Sequence, residues 1–314
     1  MDLNKLFEYS KKIWDDDSVA TNVELFLLRK PKNDDVILFS MDINNELQKD
    51  LLKIFLDNFR RSEKRKYKQS NYDVVTSGKF DKEYYTTCAK DYNGVDKFIK
   101  LFDEEKLDNI KGLDETDFFA YAVKVLMDDE WFIFIAPFAK VSKISATKVI
   151  GNLKNEKLTK LENENTVGFS SSISMIIQKN QILMTNNLRH FEKCCGMHSE
   201  FKKRAESILG KIAEFDSIED IEDLMKTIDS DSVIAKRLTK MDQHYDRVAS
   251  FFENKNEVKK VLEDEAFKEK FKDVKYENGK IKFEKKNRHV FITLISDACY
   301  ETLVGKTKGI DGGF

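Results

Sequence analysis

Apolar and polar positions follow two rhythms along the chain. Residues 23–28 (VELFLL) and 36–41 (VILFSM) are short apolar runs on either side of a turn-forming KPKND, which predicts a β-hairpin. Residues 43–59 switch to helical spacing, with apolar side chains at 43, 47, 51, 54, 55 and 59. A strand is expected at 72–77 (YDVVTS), and helices over about 95–104 and 115–127. Residues 131–185 return to strands: WFIFIA, TVGFSSSISMII, a QKNQ turn and ILMT, the pattern of a meander.

Near residue 186 the rhythm becomes helical. A first helix carries Leu188, Phe191 and Cys195 and stops at Gly196, since a missing Cβ suits the left-handed position that ends a helix. A second covers about 199–212. Ser217 is expected to cap a third that begins near Asp220. Residues 232–252 read as one helix, and 288–304 as a last helix ended by Gly305. Between them VKYENGKIKF at 274–283 alternates around Asn278-Gly279, a strong hairpin signal. The fold class expected is α+β. Residues 1–185 form a mixed α/β half with an antiparallel meander, and residues 186–314 a mostly helical half with one hairpin.

Composition narrows the functions. Of 314 residues 41% are hydrophobic, enough for a sizeable core, while 54 basic and 56 acidic side chains nearly cancel. Overall charge therefore predicts no polyanionic partner, and only a local basic patch would. The longest apolar run, Trp131–Ala139, suits a buried strand and is far shorter than the ~20 residues a bilayer needs. The acidic, amphipathic start MDLNKLFEYSKKIWDDD does not read as a secretory signal. Four cysteines at 88, 194, 195 and 299 make neither a disulfide framework nor a zinc spacing, which suits the cytoplasm.

Three basic segments are candidates for phosphate contact. The first, Arg60-Arg61-Ser62-Glu63-Lys64-Arg65-Lys66-Tyr67-Lys68, holds six basic residues and one acid. Neutralising phosphates releases counterions, so it can supply salt-dependent affinity, although cations at a helix C-terminus also complement its dipole. In the second, Ile234, Leu238, Met241, Tyr245 and Val248 line one face of the expected 232–252 helix. Lys236, Lys240, Gln243 and Arg247 line the opposite face, with Arg237 beside them. A straight basic stripe would position a duplex, and an ordinary amphipathic surface helix would look the same. The third, Lys285, Lys286 and Arg288, leads into the last helix. Residues 214–231, with eight acids and one lysine, would repel DNA.

Catalytic signatures are missing. The chain has no P-loop or dinucleotide fingerprint, no HExxH and no GxSxG. His190 and His198 flank Cys194 and Cys195, but Gly196 interrupts the helix, and no metal or other cofactor is expected. Asp273 followed by Glu284-Lys285-Lys286 across the hairpin resembles a restriction-type nuclease core, a coincidence expected among 56 acids. The chain reads as a binding protein rather than an enzyme, with a protein-only adaptor and a metal-dependent nuclease as alternatives.

The stretch ILMTNNLRHFEKCCGMHSEFKKRAESILGKI at 182–212, then SVIAKRLTKM at 232–241 and HVFITLISDACYETLVGKTKG at 289–309, resembles the family of the Kiwa anti-phage defence protein KwaB over roughly residues 165–309. The resemblance implies the soluble subunit of a two-gene bacterial system whose partner is a small multi-span membrane protein, KwaA. It also implies binding of double-stranded DNA that impedes phage replication and late transcription, with no established catalytic residue. Cytoplasmic localisation, recruitment to the inner face of the membrane without insertion, and a homo-oligomer (dimer or higher) that lines basic patches along a duplex follow as expectations.

Overall fold

The computed structural model describes residues 4, 6–8, 11, 23–31, 35–63, 68–76, 83–103, 118–127, 129–139, 151–154, 157–160, 168–170, 172–185 and 187–311. They fall into two compact units, the first made of residues 1–72 and 78–196 and the second of 73–77 and 197–314. As expected, the fold is α+β: an N-terminal part with an antiparallel sheet, a helical C-terminal part and a small hairpin.

The first unit is built on a sheet whose strand order is β2-β1-β5-β6-β10-β11-β4-β3. The hairpin of β1 (Val23–Arg29) and β2 (Ile37–Met41) forms where the apolar runs placed it. At the far edge lie β3 (Lys68–Asn71) and β4 (Glu83–Cys88), which pair in parallel. The centre is a long hairpin of β5 (Phe118–Met127) and β6 (Glu130–Ala139), with Met127 opposite Glu130. Residues 118–127 of the expected helix over 115–127 are thus a strand. Both of its faces are covered, so its apolar residues run together and the two-residue alternation is erased. β7 (Gly151–Lys154) and β8 (Lys157–Lys160) make a further hairpin that the pattern did not announce. β9 (Gly168–Phe169) pairs with the end of β6. The QKNQ segment joins β10 (Met175–Gln178) to β11 (Gln181–Met184), as expected.

Helix α1 (Asn45–Glu63) covers one face of this sheet: Leu51 and Phe55 are buried, and Phe55 stacks on Phe134 with ring centroids 4.4 Å apart. Phe26 points to the opposite face, where it meets Phe102 edge-on just beyond α2 (Asn93–Lys100). Helix α3 (Leu188–Cys194) is followed by Gly196 at φ +58°, the helix stop read from the sequence. Within α2, Gly94 lies against the end of α3: a Cβ there would stand 1.9 Å from the Cys195 carbonyl oxygen. Ser174 and His190 are buried in this unit, with Ser174 Oγ 2.5 Å from His190 Nδ1 and 2.9 Å from the Ile135 carbonyl oxygen.

Of the strand expected at 72–77, the described residues 72–76 form a turn. Asp73 Oδ1 accepts from the Val75 N–H at 3.1 Å and the Thr76 N–H donates to the Asp73 carbonyl, so the side chain of Asp73 captures the backbone a ladder would have used.

The second unit packs α4 (His198–Ala213), α5 (Ile221–Ser230), α6 (Ser232–Met241), α7 (Tyr245–Glu253), α8 (Lys255–Glu263), the short α9 (Lys268–Phe271) and α10 (Arg288–Ile295). Three sequence expectations fail here. Ser217 caps no helix: its hydroxyl donates to the Phe215 carbonyl and its own carbonyl accepts from Ile281. Residues Ile218–Glu219 thereby become β12, parallel to β14 (Lys280–Lys282). The 232–252 helix is two helices, because Asp242–His244 tighten into a 3-10 turn and His244 leaves helical geometry at φ −129°, ψ 33°. Asp242 is held there by Lys211 at 3.5 Å and Arg204 at 3.9 Å. The last helix ends at Ile295 instead of 304, where Asp297 turns left-handed at φ 49° and Arg247 binds both its carboxylate and its carbonyl. The expected Asn278-Gly279 hairpin does form, between β13 (Lys275–Glu277) and β14, with both turn residues at positive φ. A second hairpin, β15 (Cys299–Glu301) with β16 (Lys308–Ile310), follows α10.

Candidate nucleic-acid interface

Two basic segments of the second unit, far apart in sequence, are fastened together. Helix α6 buries Ile234, Ala235, Leu238, Thr239 and Met241, which leaves Ser232 and Val233 exposed and Lys236, Arg237 and Lys240 half-buried at its margins. Asp231 caps it, Oδ1 accepting from the N–H groups of Val233 at 3.1 Å and Ile234 at 3.2 Å. Its other oxygen accepts from Arg288 Nε at 2.8 Å, at the start of α10, and Arg288 Nη1 donates to the Lys285 carbonyl at 3.1 Å. One turn further along, Arg237 donates to the His289 carbonyl at 2.9 Å and to Thr293 Oγ1 at 2.8 Å. The result is a seam that ties the basic helix α6, through Asp231 and Arg237, to the basic start of α10 at Arg288 and His289.

Within this group the charges differ in availability. Burial pushes the Arg237 guanidinium pKa down, and its Nε is buried with no hydrogen-bond partner, so this arginine is part of the packing. Burial alone would raise the Asp231 carboxyl pKa; Arg288 and the two capping N–H groups outweigh it and hold it below the usual range. Lys286 pairs with Glu284 at 2.8 Å and Lys275 reaches the same carboxylate at 3.1 Å; the two lysines keep Glu284 well ionised. Lys236 Nζ lies 5.5 Å from the centre of the Phe201 ring. Lys285 is exposed. Arg247 does not continue the stripe, because the 3-10 turn rotates it away and it binds the turn after α10. Arg60 and Arg61 end α1, in a stretch whose side chains are not described, and Lys64, Arg65 and Lys66 lie outside the described residues.

Asp231 was not picked out in the sequence, although an acid directly before a helical run is a capping signal. Asp231→Ala is expected to lower the stability of the second unit by about 2 kcal/mol, from the lost cap and the stranded Arg288. Asp231→Asn should recover roughly half, since asparagine also caps. Chemical denaturation of the two variants checks this; equal losses would show that only the ion pair matters.

Most of the remaining chemical candidates are otherwise engaged. Of the two acids of the nuclease-like pattern, Glu284 holds two lysines and Asp273 is exposed. Among the described residues no group of three or more His, Cys, Asp or Glu is placed to hold a metal ion. His190 faces Ser174, and His198 Nε2 bonds the Ile228 carbonyl at 2.9 Å. Burial pushes the Cys194 thiol up to about 12. Among the described residues no helix is long and apolar enough to cross a membrane.

The protein family described as Kiwa protein KwaB-like matches residues 118–304, more than half of the chain. That span runs from β5 to the apex of the last hairpin and contains every residue of the seam, while the 60–68 segment falls outside it. Neither a curated protein nor a solved structure matches the chain. On the extent of the family match, the chain belongs to the KwaB-like family of Kiwa proteins.

Proposed function

We propose that this protein is the DNA-binding effector subunit of a Kiwa anti-phage defence system. It impedes phage DNA replication and late transcription by occupying double-stranded DNA, without cutting it. The observation that carries this reading is the seam: Asp231–Arg288 and Arg237–His289 join the helix that bears Lys236 and Lys240 to the segment that bears Lys285 and Lys286. Membership of the family supports the defence role. With a formal net charge of −2, attraction to DNA has to come from such a local cluster, and each phosphate it neutralises releases counterions. One cluster makes few contacts. Repeating it in a homo-oligomer raises the effective concentration of the next contact along a duplex. A membrane partner, KwaA, would hold the assembly at the inner face of the membrane.

The test is a mobility-shift titration on linear duplex DNA at low and high salt, with EDTA and then magnesium. The variant K236E/K240E/K285E leaves the structural Arg237, Asp231 and Arg288 in place. It is expected to bind at least about tenfold more weakly at low salt, with the slope of log affinity against log salt shallower by about 2–3. Wild type that binds no duplex at any salt would sink the reading in favour of a protein-only adaptor. Fragments formed only with magnesium would make it a nuclease.

A further inference from the structure

The last hairpin is anchored at its base and bare at its tip. At the base the Asp311 N–H donates to the Ala298 carbonyl, Lys308 pairs with Asp264, and Arg247 grips Asp297. At the tip Thr302 N–H donates to the Thr307 carbonyl at 2.9 Å, Thr307 N–H donates to Thr302 Oγ1 at 2.9 Å, and Lys306 N–H donates to the Thr302 carbonyl at 3.0 Å. This is a closed, bonded loop. Yet Leu303 and Val304 at its apex are 89% and 97% exposed, far more than Val233 and Tyr300, the other exposed large hydrophobics among the described residues. Lys306 stands immediately behind them, 3.5 Å from Glu301 in a pair whose side chains are 71% and 43% exposed. Such a pair is weak and exchanges readily for another anion.

A lipid surface, a second copy of this chain and a base-pair step are each able to cover an aliphatic apex. A bilayer anchor needs a broad apolar face, and two side chains do not make one. A stable contact between two copies buries roughly 800 Å² per partner, of which one leucine and one valine supply only a small part. A base-pair step needs only one or two aliphatic side chains, pressed in from the minor groove on a stiff support with cations close behind for the flanking phosphates. The hairpin has the aliphatic pair, the bonded support and one lysine behind them, Lys306.

We propose that residues 299–310 form an arm that inserts Leu303 and Val304 between base pairs of bound duplex DNA, unstacking and bending it, while Lys306 meets a phosphate beside the step. This rests on the DNA-binding reading above and adds to it a second, separate contact. The seam supplies salt-dependent attraction; the arm supplies deformation. Binding should then favour flexible pyrimidine–purine steps, because these unstack most easily.

The full chain and its variant L303S/V304S are compared on a duplex with 2-aminopurine at a central TA step, and by circular-permutation mobility shifts for bending. Both side chains face solvent, so the variant should melt like wild type. The expected result is bright 2-aminopurine and a bend with wild type. The variant should keep the full salt slope, bind roughly tenfold more weakly, and neither unstack nor bend the duplex. Wild type that binds without unstacking, or a variant that unstacks equally well, would overturn the arm and leave the DNA-binding reading standing. Wild type that binds no duplex at all would remove both. Co-sedimentation with phosphatidylglycerol–phosphatidylethanolamine vesicles that the variant loses, with DNA behaviour unchanged, would reassign the apex to lipid.

Discussion

Gly94→Ala is expected to destabilise the first unit by roughly 4 kcal/mol, at the upper end of what overpacking does, lowering its melting temperature by about 10 °C. On an open helix the same change stabilises, by about 0.5–1 kcal/mol, because alanine gives up less backbone freedom on folding. Here the sign reverses, since the new methyl would lie 1.9 Å from the Cys195 carbonyl oxygen, and that oxygen belongs to the backbone at the end of α3. No rotamer relieves the contact; α2 and the turn at 195–196 must separate. Gly210→Ala is the matched control, because in α4 a Cβ there meets nothing within 4 Å, and it should stabilise the second unit slightly. Calorimetry resolving the two variants tests the pair. A Gly94→Ala protein that melts with wild type would mean the α2–turn approach is looser than described.

Acid should weaken the first unit through His190. Burial, helped by Lys193, holds its imidazole pKa down to about 4, against 6.5 for the ordinary side chain. Between those values the unfolded chain takes up a proton that the folded chain refuses. Stability therefore rises with pH from 4 to 6.5 and is fully present above that. The window amounts to about 3 kcal/mol between pH 7 and pH 4. The ring is 7% exposed and its Nε2 has no hydrogen-bond partner, so the imidazolium would carry a buried, unanswered N–H. His190→Phe removes the titration while Ser174 keeps the Ile135 carbonyl as its acceptor. Urea titrations at several pH values should show the wild-type dependence flattened by about 3 kcal/mol in the variant. Unchanged curvature would assign acid sensitivity to other groups.

What the sequence disclosed depended on how local each signal was. The Asn278-Gly279 hairpin, the QKNQ turn and the stop at Gly196 each carry their own cause, and each was legible. β5 was misread because burial on both faces removes the alternation that identifies a strand. The 232–252 and 288–304 helices were drawn too long. What interrupts them comes from elsewhere in the chain: Arg204 and Lys211 on Asp242, and Arg247 on Asp297. For the same reason the basic residues could be counted but not sorted. That Arg237 is tied to α10 while Lys285 faces solvent depends on partners 52 residues away and on burial. The exposed apex at 303–304 was hidden inside what read as a helical tail.

The strand order of the first unit has a consequence for how the chain emerges from the ribosome. Cys88 on β4 pairs with Gln181 on β11, 93 residues later, and among the described residues β3 pairs only with β4. At ordinary rates of synthesis that interval takes roughly 5–20 s. For that time one edge of the nascent β3–β4 pair, with Tyr84 and Tyr85 on it, has no partner strand, and a second nascent chain on the same message presents the identical edge. Production of this protein should therefore depend on how crowded the ribosomes are and on holding chaperones, more than the stability of the finished fold would suggest.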